Sequence, residues 1–483
     1  MWESFVEIAN DLIDIDLLVG LTAAFYLIAI RNTIRILRQD LSPAAALAWI
    51  LVNLGIPFLG VPLYFFLGQS KVIGYVKRRF KKDQILEDFE AQPDQPRWDH
   101  REFQKLKMFE DSLTKLDEGF LPLPGDVRLM LNGEQAFPEI FSAINEAKHY
   151  ILAQSYILRQ DRLGMELKEL LSVKAQNGVK VYLLIDDWGS FGLGRKYVRA
   201  LRKAGVKVAR FLPLGLRFNV QMNFRNHRKL VLIDGVKAFT GGLNWGVEYL
   251  GRHQDKLWRD THLQLTGPCV TPLIHTFIHD WNFAAGVDLT ETLTQPFPLA
   301  NQGMSPVQVV SFGPGDDRSA GLALFYQAIS QATSELIIAS PYFIPDTILE
   351  NALVMARLRG VKVKVLIPQQ GDSGLVHLVT LVHAEALAGL GIDFHLYEDG
   401  FMHQKVMLVD RSVAILGTSN FDNRSMYLNF ETSILVHGKE VCDEVYEMLE
   451  EDFAKAQPFE NSGPLKRYHQ GIYRFFRLMG PLF

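Results

Sequence analysis

Apolar and polar positions divide this chain into three kinds of text. Near the N-terminus, residues 17–30 form an uncharged apolar run of 14 residues, and residues 44–67 a second of 24. Residues 83–124 are charged, contain proline and show no long apolar period, which reads as a linker with some helix. From about residue 125, short apolar runs of strand length alternate with helix-length stretches. The order of landmarks occurs twice. A strand at 151–158, a helix, the strand opening Gly178-Val179-Lys180-Val181, another helix and Gly205-Val206-Lys207-Val208 come first. A strand at 336–344, Gly360-Val361-Lys362-Val363 and Gly391-Ile392-Asp393-Phe394 repeat the series. Strands alternating with helices predict an α/β fold with helices covering the sheet.

The N-terminal runs predict a transmembrane helical hairpin over residues 1–70, with spans at about 14–31 and 44–67. The second run is long enough to cross, although Pro57 and Pro62 would kink it or split off its last turns. The first is short and would tilt, thin the bilayer or lie partly in the interface. Five acids and no Lys or Arg precede it, the reverse of a cleaved secretory signal. Arg31, Arg35 and Arg38 lie between the runs, and Lys71, Lys77, Arg78, Arg79, Lys81 and Lys82 follow them. If both runs span, these clusters fall on opposite faces, and the larger exit cluster favours a cytoplasmic catalytic part. That cluster reads equally as a solvated helix face and as a patch drawn to anionic headgroups.

Each series ends in one motif. Asn226-His227-Arg228-Lys229 opens an apolar run closed by Asp234, and Gly241-Gly242-Leu243-Asn244 follows. His403-Gln404-Lys405 opens the other, closed by Asp410, with Gly417-Thr418-Ser419-Asn420 after it. His, Lys, Asp, Gly and Asn keep the same offsets in both. The runs predict buried strands, on which His and Lys at i and i+2 share a face. A neutral His is a nucleophile or general acid/base near neutral pH. Lys supplies a point charge to a phosphate oxygen, and Asn a neutral donor. Two such sets suit phosphoryl transfer, with Lys229, Lys405, Asn244 and Asn420 binding phosphate and no metal or cofactor needed. Asp234 and Asp410 belong to the motifs, but their place at the far strand end suggests a structural bond.

The doubled pattern resembles the phospholipase D superfamily. Asn223-Phe224-Arg225-Asn226-His227-Arg228-Lys229, Phe239-Thr240-Gly241-Gly242-Leu243-Asn244, Trp258-Arg259-Asp260-Thr261 and Pro341-Tyr342-Phe343-Ile344-Pro345-Asp346 resemble the bacterial cardiolipin synthases within it. The resemblance implies two pseudo-twofold-related α/β/α halves, at 125–290 and 305–460, meeting at one cleft. The linker would occupy 71–124, the seam the Pro- and Thr-rich stretch at 286–305, and a basic-aromatic tail 461–483. It implies that His227 attacks and His403 serves as general acid and then base, an order the symmetric motifs leave open. Asp260 and Glu431, each downstream of its own motif, are the expected orienting acids for the histidines. Gly242 departs from the superfamily's usual Ser, where the second motif has Thr418. Tyr156, Tyr342 and Phe343 read as pocket or core. The implied partners are phosphatidylglycerol, cardiolipin and the lipid bilayer of a bacterial cell membrane, crossed more than once. Transfer to water or another alcohol is the alternative.

Composition narrows these readings. A net charge of −4 argues against a nucleic-acid groove, and 48% hydrophobic residues suggest a membrane-attached part. Cys269 and Cys442 are too few for a disulfide framework and lie outside any zinc spacing, so buried apolar roles are expected. A homo-oligomer is compatible with the sequence.

Overall fold

The computed structural model describes residues 2–39, 41, 43–68, 72, 75, 109, 122–213, 223–253, 256–289, 305–314 and 320–459. The basic exit at 71–82, most of the linker, much of the seam and the basic-aromatic tail lie outside the described residues. The chain divides into two compact units, one of Met1–Val72 with Leu214–Phe224 and one of Ile73–Pro213 with Arg225–Phe483.

The first unit contains helices α1 (Trp2–Ile36), α2 (Pro43–Gly55) and α3 (Pro57–Leu67). Helix α1 extends past the first apolar run, because Arg31 and Arg35 continue it. Its 20-residue segment Leu17–Ile36 is long and apolar enough to cross a membrane. The second run, expected to be kinked or split at its prolines, breaks at Ile56, whose φ of −136° and ψ of 68° leave the helical region ahead of Pro57. The resulting helices of 13 and 11 residues reach only about 20 and 16 Å, against the roughly 30 Å of a bilayer core. Gly60 permits the bend, since a Cβ there would fall 2.3 Å from the Val52 carbonyl oxygen. Asn32 donates to Asn53 at 3.1 Å and ties α1 to α2 inside this apolar unit. Leu17, Leu18, Val19 and Leu27 stay mostly exposed, an apolar surface that suits lipid.

The second unit is mixed α/β. Its strands, in chain order, are β1 (Leu123–Leu131), β2 (Tyr150–Ser155), β3 (Lys180–Asp186), β4 (Lys207–Phe211), β5 (Arg225–Asn226), β6 (Leu230–Ile233), β7 (Lys237–Gly241), β8 (Arg252–His253), β9 (Lys256–Arg259) and β10 (Thr261–Thr266). There follow β11 (Ser305–Phe312), β12 (Glu335–Ala339), β13 (Phe343–Ile344), β14 (Lys362–Pro368), β15 (Asp393–Tyr397), β16 (Phe401–Met402), β17 (Val406–Val409), β18 (Val413–Gly417), β19 (Phe421–Asp422), β20 (Asn429–His437) and β21 (Ala456–Pro458). The expected strand at 336–344 is thus two pieces, parted before Phe343 at Pro341, which cannot donate to a ladder.

The large sheet runs β21-β15-β14-β12-β17-β18-β20-β11-β1-β10-β7-β6-β2-β3-β4. Outward from the antiparallel β1–β11 pair, the two strand sets follow one order of chain position. Along that path the parallel pairs among the described residues are those of β2–β3–β4 and β12–β14–β15. Each set carries its own buried core, one around Leu152's neighbours Ile151 and Ala153 with Leu183 and Val231, the other around Ile338, Val365 and Met407. Phe343 belongs to the second core, fully buried, and does not line a pocket. Cys269 and Cys442 are free and buried, and burial pushes both thiols up to about 12.

The motif acids stand at the outer ends of β6 and β17. Asp234 turns the chain with a φ of 50° and accepts from the amides of Lys148, His149 and Tyr150 at 2.7–2.8 Å. Asp410, at φ 48°, accepts from the amides of Thr333, Ser334 and Glu335, each at 2.8 Å. Five strand positions separate Lys229 from Asp234, on the order of 15 Å. At that distance the two acids stand apart from the His–Lys pairs and clamp the entries of β2 and β12. Replacing either with Ala should cost about 2 kcal/mol and lower Tm by about 2–5 °C. Turnover of the folded fraction should stay within about twofold of the parent; a collapse of kcat with an unchanged Tm would contradict the clamp role.

Candidate active site

Neither His lies within the strand expected to carry it. His227 through Lys229 is an extended link between β5 and β6, and His403 through Lys405 a link between β16 and β17. Two short parallel pairings hold these links, and both cross between the strand sets. β5 pairs with β20 in the register Phe430↔Asn226, and the His227 amide donates to the Phe430 carbonyl at 2.9 Å. β16 pairs with β9 in the register Met402↔Arg259, and the His403 amide donates to the Arg259 carbonyl at 2.7 Å.

The register sets the side chains. Glu431 follows Phe430, and its carboxylate meets His227 Nδ1 at 3.0 and 3.1 Å. Asp260 follows Arg259, and its Oδ2 meets His403 Nδ1 at 2.7 Å. Each acid serves the His of the opposite motif rather than its own. A carboxylate only accepts, so each Nδ1 carries the proton and each Nε2 keeps its lone pair. Glu431 also accepts from Thr418 (2.5 Å), Ser425 (3.1 Å) and Asn429 (3.1 Å). Asp260 accepts from the Thr261 amide at 2.8 Å. Gly242 is explained here: a Cβ would sit 1.9 Å from Asp260 Oδ1. The Thr418 hydroxyl, which position 242 lacks, serves a carboxylate.

The charges of the two motifs reach each other. Burial, with a lesser effect from the facing lysines, pushes His227 and His403 down to about 4 despite their acids. Burial likewise lowers Lys229 to about 7 and Lys405 to about 8, while both feel Glu431 and Asp260. Burial alone would raise those acids, but the facing His and Lys groups hold both below the usual carboxylate range. Lys229 Nζ donates to the His227 carbonyl at 2.7 Å, and Lys405 Nζ to that of His403. The site thus holds neutral imidazoles and two lysines that give up their protons far more readily than exposed ones. A phosphodiester anion would restore the lysines' charge.

The Asn residues differ. Asn244 is committed, donating to Tyr249 at 2.7 Å and accepting from the Ile157 amide at 3.2 Å. Asn420 Oδ1 is buried without a hydrogen-bond partner among the described residues. Tyr156 sets its ring against His227 at 5.0 Å, and Tyr342 donates to Asp372 at 2.7 and 2.8 Å.

Sequence reasoning missed two buried braces. Asp280 binds Arg228 (2.7 Å), Asn226 (2.8 Å), Gln154 (2.6 Å) and Tyr75 (2.8 Å), gripping both neighbours of His227. Asp452 takes Arg259 at 2.8 Å through two nitrogens and Gln404 at 2.7 Å, beside His403. Asp280 was visible as the one acid in the apolar stretch Thr271–Ala285. Asp452 ends an acidic run that looks like a solvated helix face.

A crystal structure of phosphatidylserine synthase from Haemophilus influenzae shares the fold, with a TM-score of 0.58 over 78% of this chain and 98% of that one at 16% identity. Fold and doubled motif together define an enzyme of the phospholipase D type. Residues 140–281 and 325–453 match the family described as cardiolipin synthase, PLD-like domain, and residues 24–69 match the phospholipase D-nuclease N-terminal family. Cardiolipin synthase A of Pseudomonas putida is 37% identical over 90% of this chain and 92% of its own length. That of Pseudomonas aeruginosa is 36% identical over 96% and 95%. The chain belongs to the cardiolipin synthase family.

The crossed pairs have a spectroscopic signature. A facing carboxylate favours imidazolium, so neutralising it must lower the partner's pKa. In histidine-labelled protein, Glu431→Gln should move the NMR titration of His227 further below about 4 and leave His403 nearly in place. Asp260→Asn should do the reverse. A shift on the same-motif His would contradict the crossing.

Proposed function

We propose that this enzyme joins two phosphatidylglycerol molecules into cardiolipin and glycerol through a phosphatidyl-histidine intermediate. The observation that carries the reading is the crossed carboxylate–imidazole pairing, which supplies two His Nε2 lone pairs in one buried site with two lysines. In the first step His227 Nε2 attacks phosphorus, the bond to the headgroup glycerol breaks, and His403 delivers a proton to the leaving oxygen. In the second, His403 takes the proton from a terminal glycerol hydroxyl of another phosphatidylglycerol. That oxygen attacks phosphorus and the P–N bond breaks. A diester is exchanged for a diester, so no energy input is required, and the covalent step splits one difficult displacement in two.

Lys229 and Lys405 neutralise the phosphoryl oxygens, and Asn420 adds an amide. Asn244 shapes the wall through Tyr249. His403 must be protonated in the first step, and the bound anion beside Asp260 raises its pKa for that task. The matched strand orders support a duplication with pseudo-twofold halves at 125–290 and 305–460. The acids clamping β2 and β12 take no part in the chemistry.

For the membrane we infer that α1 crosses and that α2–α3, too short to cross singly, re-enters the same leaflet. Arg31, Arg35, Arg38 and the basic exit then share one face, and the charge bias that two spans would split becomes uniform. That face is cytoplasmic, with the acidic N-terminus across the bilayer.

Purified protein incubated in detergent with phosphatidylglycerol alone should yield cardiolipin and glycerol in equal amounts. Phosphatidic acid in place of cardiolipin would make water the acceptor and refute the transfer. His227→Ala and His403→Ala should each cut turnover by about 10³-fold or more. Chelation should leave the rate unchanged, since the lysines carry the countercharge; loss with EDTA, restored by a metal, would overturn that.

A further inference from the structure

Arg225 stands two residues before His227, so Arg225, His227 and Lys229 alternate onto one side of the extended link. Arg225 is 3% exposed, and among the described residues neither of its terminal nitrogens has a hydrogen-bond partner. The facing acid, Asp186, lies 3.8 Å away. Its oxygens are already occupied by the amides of Trp188 (3.0 Å), Gly189 (2.9 Å) and Asn226 (2.9 Å). A buried guanidinium with vacant donors carries a desolvation cost that a bidentate anion would offset. Phosphate fits that fork.

The surroundings tie this cation to the site. Tyr156, packed on the His227 ring at 5.0 Å, feels the charge of both Arg225 and Arg424, and Arg424 in turn acts on Arg225. The half-exposed Trp188 covers the guanidinium with its ring at 5.5 Å. At the matching place in the second motif stands Phe401, set against Trp258 at 4.9 Å and His403 at 5.8 Å. The residues two positions before the histidines therefore differ: a cation before His227, an aromatic ring before His403.

The proposed reaction brings two phosphodiester anions into the site. Lys229 and Lys405 serve the one that is broken, and the other arrives intact on the acceptor lipid. We propose that Arg225 forms a second phosphodiester subsite, which binds the unreacting phosphate of the acceptor and makes a phospholipid, rather than a small alcohol, the preferred acceptor. The proposal rests on the transfer reading above.

The test lets two acceptors compete for one phosphatidyl group. Full-length protein in detergent is given phosphatidylglycerol and isotope-labelled glycerol. Cardiolipin reports the lipid acceptor, and labelled phosphatidylglycerol reports glycerol. In Arg225→Gln the ratio of cardiolipin to labelled phosphatidylglycerol should fall tenfold or more. Arg225→Lys, which keeps the charge and loses the fork, should give an intermediate ratio. An unchanged ratio, whether both products fall together or neither does, would overturn the subsite. Should the Gln variant fail to show a parental melting transition, the Lys variant decides by the same ratio. Failure of the parent protein to make either product would instead defeat the transfer reading.

Discussion

Two short parallel pairings, each only two residues long, hold the site together: β5 on β20 and β16 on β9. Each ties the approach to one motif to the strand that delivers the other motif's acid. In the register Phe430↔Asn226, Glu431 must fall beside His227. In the register Met402↔Arg259, Asp260 must fall beside His403. A one-residue slip would turn each acid to the other face of its strand and leave an imidazole unoriented. Neither strand set can therefore build a complete site without the other. The Asp280 and Asp452 braces lock these registers from behind by gripping the residues that flank each His.

The burial that this arrangement imposes also sets the chemistry. Imidazoles pushed down to about 4 and lysines down to about 7 and 8 are poor hosts for extra positive charge. The site is consequently complementary to an anion that arrives with its own charge, and protonation follows binding. Exposed histidines and lysines would be charged or neutral regardless of substrate.

Much of this was legible in the sequence. The repeated offsets of His, Lys, Asp, Gly and Asn announced a duplicated phosphoryl-transfer site, and the recurring landmarks matched strands that the sheet contains. What period and spacing do not encode is pairing between distant segments. Asp260 and Glu431 were expected as orienting acids, but their exchange between motifs depends on pairing between segments 143 and 204 positions apart in the chain. Asp234 and Asp410 sit at the far strand ends, which suggested a structural bond, but which amides they take up depends on segments distant in the chain. Hydropathy found both N-terminal runs: charges at Arg31 and Arg35 hid the longer helix, while the prolines signalled a split in the second run without fixing it at Ile56.

The central claim is that one His becomes covalently bound to the phosphatidyl group while the other moves protons. The most direct measurement is rapid alkaline quenching during turnover of phosphatidylglycerol, followed by mass spectrometry of the peptides. The account predicts a phosphatidyl group on the peptide bearing His227, present in the parent and absent in His227→Ala. Label on the His403 peptide alone, or full turnover with no labelled histidine, would contradict it.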